Sequence, residues 1–308
     1  MDSLFLQKIQ EHVAEWRKGG YQYVKDETQG ILRHIRRMKF LHAPQIEALE
    51  TYIYLKEVEG NKPSLEIFQS LFENERKLLE ALVSDKEILL DLASDDIKKK
   101  EKIQAILEEK FGASDYANQL YALTMGSGKT ILMATMMLYD FVLSYYHPDD
   151  ERFAKNVLVF APDTTIIESL KEIKTFDYSN VLPKSHRNIL LNIKYHYLES
   201  PEMLLHPIGN YNVIVTNSQK IILKRNGNSK IHPFFAQKAE KERERMTENR
   251  RLLRIRELER LSIFVDEAHH SYGAAMNREL KRTRETIEYI HSDKPIVSVV
   301  NLTGTPYV

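Results

Sequence analysis

Six consecutive residues, Met125-Gly126-Ser127-Gly128-Lys129-Thr130, have the types and order that hold a phosphate chain. Glycines let backbone N–H groups close around phosphate oxygens, and a helix that follows adds the positive potential of its N-terminus. A lysine then reaches the β- and γ-phosphates, and a hydroxyl ligates magnesium. Lys129 and Thr130 fill the last two roles. The pattern departs from the strict Walker A form, because Leu123 stands where the first glycine would be. The second group is the doublet Asp266-Glu267, which closes the apolar run Ser262 to Val265. A phosphate-bound magnesium needs a carboxylate anchor, the part of Asp266, and an attacking water needs a base or positioning group, the part of Glu267. Adjacent acids after a strand can also merely cap the next helix, but the glycine turn upstream favours the chemical reading. His269 and His270 follow; beside a nucleotide site, neutral imidazoles serve more economically as couplers than as zinc ligands.

Both groups need strands to deliver them, and the second half of the chain supplies candidates. After Gly112, short apolar runs such as YALT, VLVFAP, VIVTN, SIFVDE and PIVSVVNLTG alternate with longer helical stretches. Buried parallel strands read this way, and the alternation predicts an α/β domain with helices on both faces of a mainly parallel sheet. Ligand sites in such sheets lie beyond the carboxyl ends of the strands, where both motifs fall. The first part is helical in texture. Phe5, Ile9, Val13 and Trp16 keep a helical period that Gly19-Gly20 ends, a second helix is expected from near Pro44 to Gly60, and Pro63 to Gly112 carries no strand-like run. Three units are therefore expected: N-terminal helices over 1–62, a helical insertion over 63–115, and an α/β nucleotide-binding domain over 116–308.

Composition narrows the function classes. The 308 residues are 43% hydrophobic, enough for a packed core, and 44 Lys and Arg balance 44 Asp and Glu. No global basic field draws the chain to nucleic acid, so any such binding must use local patches. One candidate is the stretch from Lys224 to Arg260, with twelve Lys and Arg against six Glu, which reads as a long charged helix: either a solvated face or an arm for nucleic acid or a partner. The absence of cysteine excludes disulfides, thiolate metal sites and cysteine catalysis. The longest apolar stretch, residues 131–146, is short for a membrane span and contains Asp140, and the amphipathic start is no secretory signal, so a cytoplasmic protein is expected.

Together these residues resemble the DEAH-type superfamily 2 helicases and translocases, with Met125 to Thr130 as motif I and Asp266 to His269 as motif II. Asn301 to Pro306 resembles motif III, and the likeness implies that Thr303, Gly304 and Thr305 link nucleotide state to nucleic-acid binding. Val159 to Thr165 resembles motif Ia, and Val213 to Gln219 the next such strand end. The likeness implies that Pro162, Asp163, Thr164, Thr216 and Asn217 lie along a nucleic-acid backbone. Phe40 to Gln45 resembles the Q motif, in which the Gln45 amide would read adenine. The implied fold is a RecA-like P-loop domain and the implied cofactors are ATP and Mg2+. Gly126, Ser127, Gly128, Lys129 and Thr130 would bind the nucleotide, Thr130 and Asp266 the metal, and Lys129, Asp266, Glu267 and His269 would carry the chemistry. The DEAHH and TGTPY strings look most like the ATP-driven subunit of type III restriction enzymes and related prokaryotic defence helicases.

The resemblance also implies a second RecA-like domain with motifs IV to VI and an arginine that stabilises transition-state charge. The sequence stops at Val308, two residues after motif III, so it is expected to be the first part of a longer polypeptide, and to hydrolyse ATP weakly by itself. The leading expectation is the first motor lobe of an ATP-dependent DNA helicase or translocase in restriction or phage defence. Two alternatives stay open: an ATP-gated module that docks a partner subunit through the helical block or the basic arm, and an RNA helicase.

Overall fold

In a computed structural model of the protein, residues 2–71, 114–124, 126–161, 164–198, 209–217, 250–266 and 276–304 are described. The apolar runs become strands of one six-stranded sheet: β1 (Ala117–Ala122), β2 (Asn156–Ala161), β3 (Ile193–Leu198), β4 (Tyr211–Asn217), β5 (Leu261–Val265) and β6 (Ser298–Thr303). Their order is β1-β6-β5-β2-β4-β3 and every pairing is parallel. The expected α/β class with a parallel sheet between helices is thus observed. Parallel pairing puts all six carboxyl ends on one edge of the sheet, and β6 lies between β1 and β5.

Helices cover both faces. On one side pack α1 (Asp2–Lys18), α2 (Asp26–Met38), α3 (Ala43–Ile53) and α5 (Lys129–Tyr146); α4 (Ser64–Ser70) lies beside β1. Ile9, Val13, Ile31, Ile35, Leu49 and Ile53 from the first three share one core with Leu132 to Leu143 of α5 and with Val157, Val159, Val213 and Val300 of the sheet. Short helical turns α6 (Thr164–Ser169) and α7 (Glu172–Thr175) and two 3-10 segments (Tyr178–Asn180, Lys184–Asn192) fill the path to β3. The opposite face is covered by α8 (Arg250–Arg256) and α9 (Met276–His291), whose Leu252, Ile255, Ile287 and Ile290 meet Leu158, Phe160, Ile214, Ile263 and Val299. Burial on both faces explains why the inner strands read as continuous apolar runs and not as alternating ones.

Two expectations change in detail. The helix from Pro44 forms, but after Ile53 it widens into a π-turn over Tyr54–Val58. The charged stretch before β5 is helical only as far as Arg256 among the described residues. Arg260 takes a left-handed φ of 49°, which ends any helix and turns the chain into the strand, and Leu252 and Ile255 are buried, so this end is no wholly solvated face. Residues 72–113 of the helical insertion and 218–249 of the basic arm lie outside the described residues. The apolar stretch 131–146 is the buried α5, and no helix among the described residues is long and apolar enough to cross a membrane.

Candidate nucleotide site

The glycine turn hangs between β1 and α5. Beyond Ala122 the ladder continues for one more bond, Leu123 N–H to the Thr303 carbonyl at 2.9 Å, so the start of the turn is stitched to the end of β6. Ser127 N–H then reaches back to the Thr124 carbonyl at 3.2 Å, and Gly126 and Gly128 take φ of 75° and 74°. An L side chain rarely adopts that conformation, so glycine is needed at both positions. Gly128 is the N-cap of α5, whose carbonyl accepts the Leu132 N–H at 3.1 Å, and Lys129 and Thr130 open the helix. Successive left-handed and helical residues of this kind leave backbone N–H groups converging on one side, where an anion fits.

Asp266 is placed from the other direction. Its N–H donates to the Phe160 carbonyl at 3.0 Å, continuing the pairing of β5 with β2 past Val265, and it is buried. With only β6 between the two strands, Asp266 and Lys129 face the same space. Burial draws the Lys129 ammonium below the ordinary lysine range, and the Asp266 carboxylate pushes it back up. The two motifs, far apart in sequence, are therefore electrostatic neighbours. Thr303 and Gly304 at the end of β6 are buried between them.

The set fits a nucleoside triphosphate with a divalent cation on the evidence of its own atoms. The Ser127 hydroxyl is buried without a hydrogen-bond partner among the described residues, an expensive state for a polar group unless a ligand completes it. Donors are backbone amides and an ammonium, the acceptor is a carboxylate, and no cluster of three or more His, Asp or Glu among the described residues could hold a metal by protein ligands alone. Magnesium bound with a nucleotide is typically held by one or two carboxylates together with phosphate oxygens and waters.

Gln45 joins this site from the N-terminal helices. It is buried at the start of α3, its Oε1 accepts the His42 N–H at 2.7 Å, and its Nε2 donates to the Gly128 carbonyl at 2.9 Å. Other expected residues fall elsewhere. Thr216 is fully buried near the end of β4, so its hydroxyl does not reach the surface. Thr164 and Asn217 belong to α6 and β4 by their backbones, but their side chains lie outside the described residues, as do Pro162, Asp163, Glu267, His269 and Thr305.

Sequence patterns missed the polar groups behind the site. Lys56, fully buried in the π-turn, donates to Tyr52 Oη and to both oxygens of Asp140 on α5 at 2.6 and 2.8 Å. Glu57 accepts from Thr28, from Tyr139 at 2.6 Å and from the Lys25 N–H at 2.7 Å. The signal that could have found them is an ionisable residue inside each of two apolar stretches, of opposite sign.

A family model described as "Type III restriction enzyme, res subunit" matches residues 43–308, from the first residue of α3 through every strand. No curated protein and no solved structure matches the chain. With a parallel sheet that brings a glycine turn and an aspartate together, and a family match over most of its length, the chain belongs to the type III restriction enzyme res subunit family and is a helicase-like ATP-binding motor domain.

Proposed function

We propose that this domain binds Mg-ATP between the glycine turn and β5 and couples its hydrolysis to movement along DNA, in restriction or phage defence. The observation that carries the reading is the sheet order, which brings the glycine turn after β1 and Asp266 after β5 to either side of the end of β6, with the Asp266 carboxylate close enough to act on the Lys129 ammonium. The backbone amides of Gly126 to Thr130 and the Ser127 hydroxyl would hold the phosphates, with Lys129 at their far end. Thr130 and Asp266 would hold magnesium, which when bound supplies positive charge to the phosphoryl oxygens. Glu267 would orient the attacking water, and His269 would pass its state onward. Thr303, Gly304 and Thr305 would transmit the loss of the terminal phosphate, a reading supported by the bond from the Leu123 N–H at the root of the turn to the Thr303 carbonyl.

DNA would lie across the strand ends, along Pro162, Asp163 and Thr164 after β2 and Asn217 at the end of β4, held by its phosphates and not read by base. Thr216, being buried, would brace the end of β4 from within. Zero net charge makes this grip local, and its affinity is expected to fall with salt.

The test is binding of a fluorescent ATP analogue with Mg2+, followed by ATP turnover with and without duplex DNA or RNA. Lys129→Ala is expected to abolish binding, and DNA to stimulate turnover more than RNA does. Undiminished binding by Lys129→Ala would remove the glycine turn from the site, and stimulation by RNA alone would overturn the DNA assignment.

A further inference from the structure

The arginines of the chain differ in what holds them. Arg17 and Arg36 meet Glu50, Arg152 meets Asp150 and Arg256 meets Asp293, each a guanidinium on a carboxylate. Arg33, Arg37 and Arg187 instead donate only to neutral acceptors among the described residues. A neutral acceptor fixes the direction of a guanidinium and leaves its charge uncancelled, so these three keep their full charge for an anion from outside.

They also gather in one place. Arg37 Nη2 donates to His34 Nδ1 at 3.2 Å, and the other ring nitrogen of His34 lies 2.8 Å from the Ser179 carbonyl oxygen. A guanidinium can only donate, so Nδ1 is the bare nitrogen and Nε2–H donates to Ser179. Arg187 gives a bond to the same carbonyl at 3.4 Å and another to the Leu182 carbonyl at 3.0 Å. The buried His34 thus ties Arg37 of α2 to the 3-10 turn that also holds Arg187. Arg33 stands one turn before Arg37 on the same face of α2, and Lys184 opens the next 3-10 segment, whose His186 lies against Gly30 of α2. Arg33, Arg37 and Lys184 are exposed. Acids nearby are engaged elsewhere: Asp177 accepts the Ser179 N–H at 2.9 Å, and Glu27 meets His147 at 2.9 Å. Cations side by side with no carboxylate between them repel, and a bound anion removes that repulsion.

We propose that the stripe formed by Arg33 and Arg37 of α2 with Lys184 and Arg187 of the facing 3-10 segment is a second seat for the phosphates of duplex DNA, off the strand ends. The 3-10 turns lie on the connection from β2 to β3, the same connection that opens with Pro162, Asp163 and Thr164, and this continuity selects DNA over an acidic protein as the occupant. In that choice the proposal rests on the reading of the chain as a DNA motor. Arg33 and Arg37 precede the residues that the family model matches, so the seat is a feature of this chain's own first helices.

Anisotropy titrations of the whole chain without nucleotide, on fluorescent duplex DNA over a range of salt, test it. Arg33→Gln with Arg37→Gln is expected to weaken binding by about tenfold or more at about 0.1 M salt and to make the log–log salt slope shallower by about one for each arginine, equally on two unrelated sequences. Arg33→Lys with Arg37→Lys keeps both charges and is expected to keep the slope, and both variants should retain the parent's melting temperature and affinity for an ATP analogue. An unchanged slope in the glutamine variant overturns the proposal, as does a change on duplex RNA without one on DNA. Loss of a poly-glutamate peptide with DNA binding intact overturns it too, and makes the stripe a seat for an acidic protein. If DNA binds through the stripe but does not stimulate ATP turnover, the proposed function falls and the seat stands; if DNA stimulates turnover while the slope is unchanged, the reverse holds. A chain that binds no duplex overturns both.

Discussion

Lys56 and Asp140 owe their place inside two apolar runs to each other. Burial pushes the Lys56 ammonium down and the Asp140 carboxyl up, and each charge opposes the shift of its partner. Asp140 accepts one more bond, from the Ala154 N–H at 3.2 Å, and Tyr52 takes part through its hydroxyl. Such a pair adds little over a packed apolar pair, but removing one member strands the other without water. Lys56→Met is therefore expected to cost about 3–5 kcal/mol in urea unfolding, whereas Lys56→Met with Asp140→Asn recovers much of it, since the asparagine carbonyl still serves Ala154. The pH dependence has a definite sign. Without its lysine, Asp140 keeps its proton in the folded chain to a higher pH than in the unfolded one. Stability of Lys56→Met should then fall as pH rises from the ordinary carboxylate range toward neutrality, and unfolding curves at pH 5 and pH 8 measure it. A single variant no less stable than the double one would show the pair to be dispensable.

At the scale of elements, four of the five neighbouring pairs of strands are bridged by a side chain as well as by the ladder, and Asn156 of β2 reaches the chain two residues before β5. His196 meets Asn212, Asn212 meets Asn156, and Asn156 reaches the Glu259 carbonyl; Ser262 meets Ser298, and Asn301 meets Asn118. In a sheet buried on both faces, where apolar runs specify register only loosely, these polar contacts fix it, because a slip would strand buried donors. Arg260 does the same for the connection from α5 to β2. Its guanidinium donates to the carbonyls of Pro148, Asp150 and Phe153, at 2.7, 2.6 and 2.8 Å, from a residue with φ of 49°. Arg260→Ala loses these bonds and keeps the strained backbone, whereas Arg260→Gly loses the bonds and relieves the backbone, so the glycine variant should be the more stable by about 1 kcal/mol, with both below the parent. Equal melting temperatures for the two would mean that the left-handed turn carries no strain. The elements also divide by how far the sequence disclosed them. The four inner strands were legible because two-sided burial makes them apolar runs, and β1, at the other edge with Asn118, Leu120 and Ala122 exposed, showed only through its end at Tyr121 to Thr124. β3 was not: as an edge strand it keeps Lys194, Tyr195, His196 and Tyr197 partly in solvent, and no apolar run forms. The glycine turn and Asp266 were legible because their chemistry is local. The Gln45 bond to Gly128 was not, since it spans 83 residues and depends on two helices lying side by side.

The whole molecule does not divide where the family match begins. The match starts at Ala43, yet α1 and α2, which precede it, belong to the same core as α5 and the sheet. Glu50 of α3 is fully buried, and its carboxylate partners come from the first two helices and the turn between them: Arg17 at 2.6 Å, Arg36 at 2.8 Å and the Tyr21 hydroxyl at 2.6 Å. Glu57 likewise depends on Thr28 and the Lys25 N–H. Residues 1–42 thus supply the cations of Glu50 and two hydrogen-bond donors of Glu57, and Ile31, Leu32 and Ile35 cover the apolar side of the same helix. A chain reduced to residues 43–308 keeps every motif of the proposed chemistry but leaves Glu50 without its cations and opens a core face to water. The loss of partners for one buried carboxylate is worth about 3–5 kcal/mol by itself, a large share of the stability of an ordinary domain. The shortened chain is expected to be insoluble or to melt far below the full one, and to bind fluorescent ATP weakly because α3 is no longer held. Adding Glu50→Gln to the shortened chain should restore part of the stability, since the neutral amide has less need of the missing arginines. Equal melting temperatures and ATP affinities for the full and shortened chains would show that the first two helices are an appendage and not part of the motor.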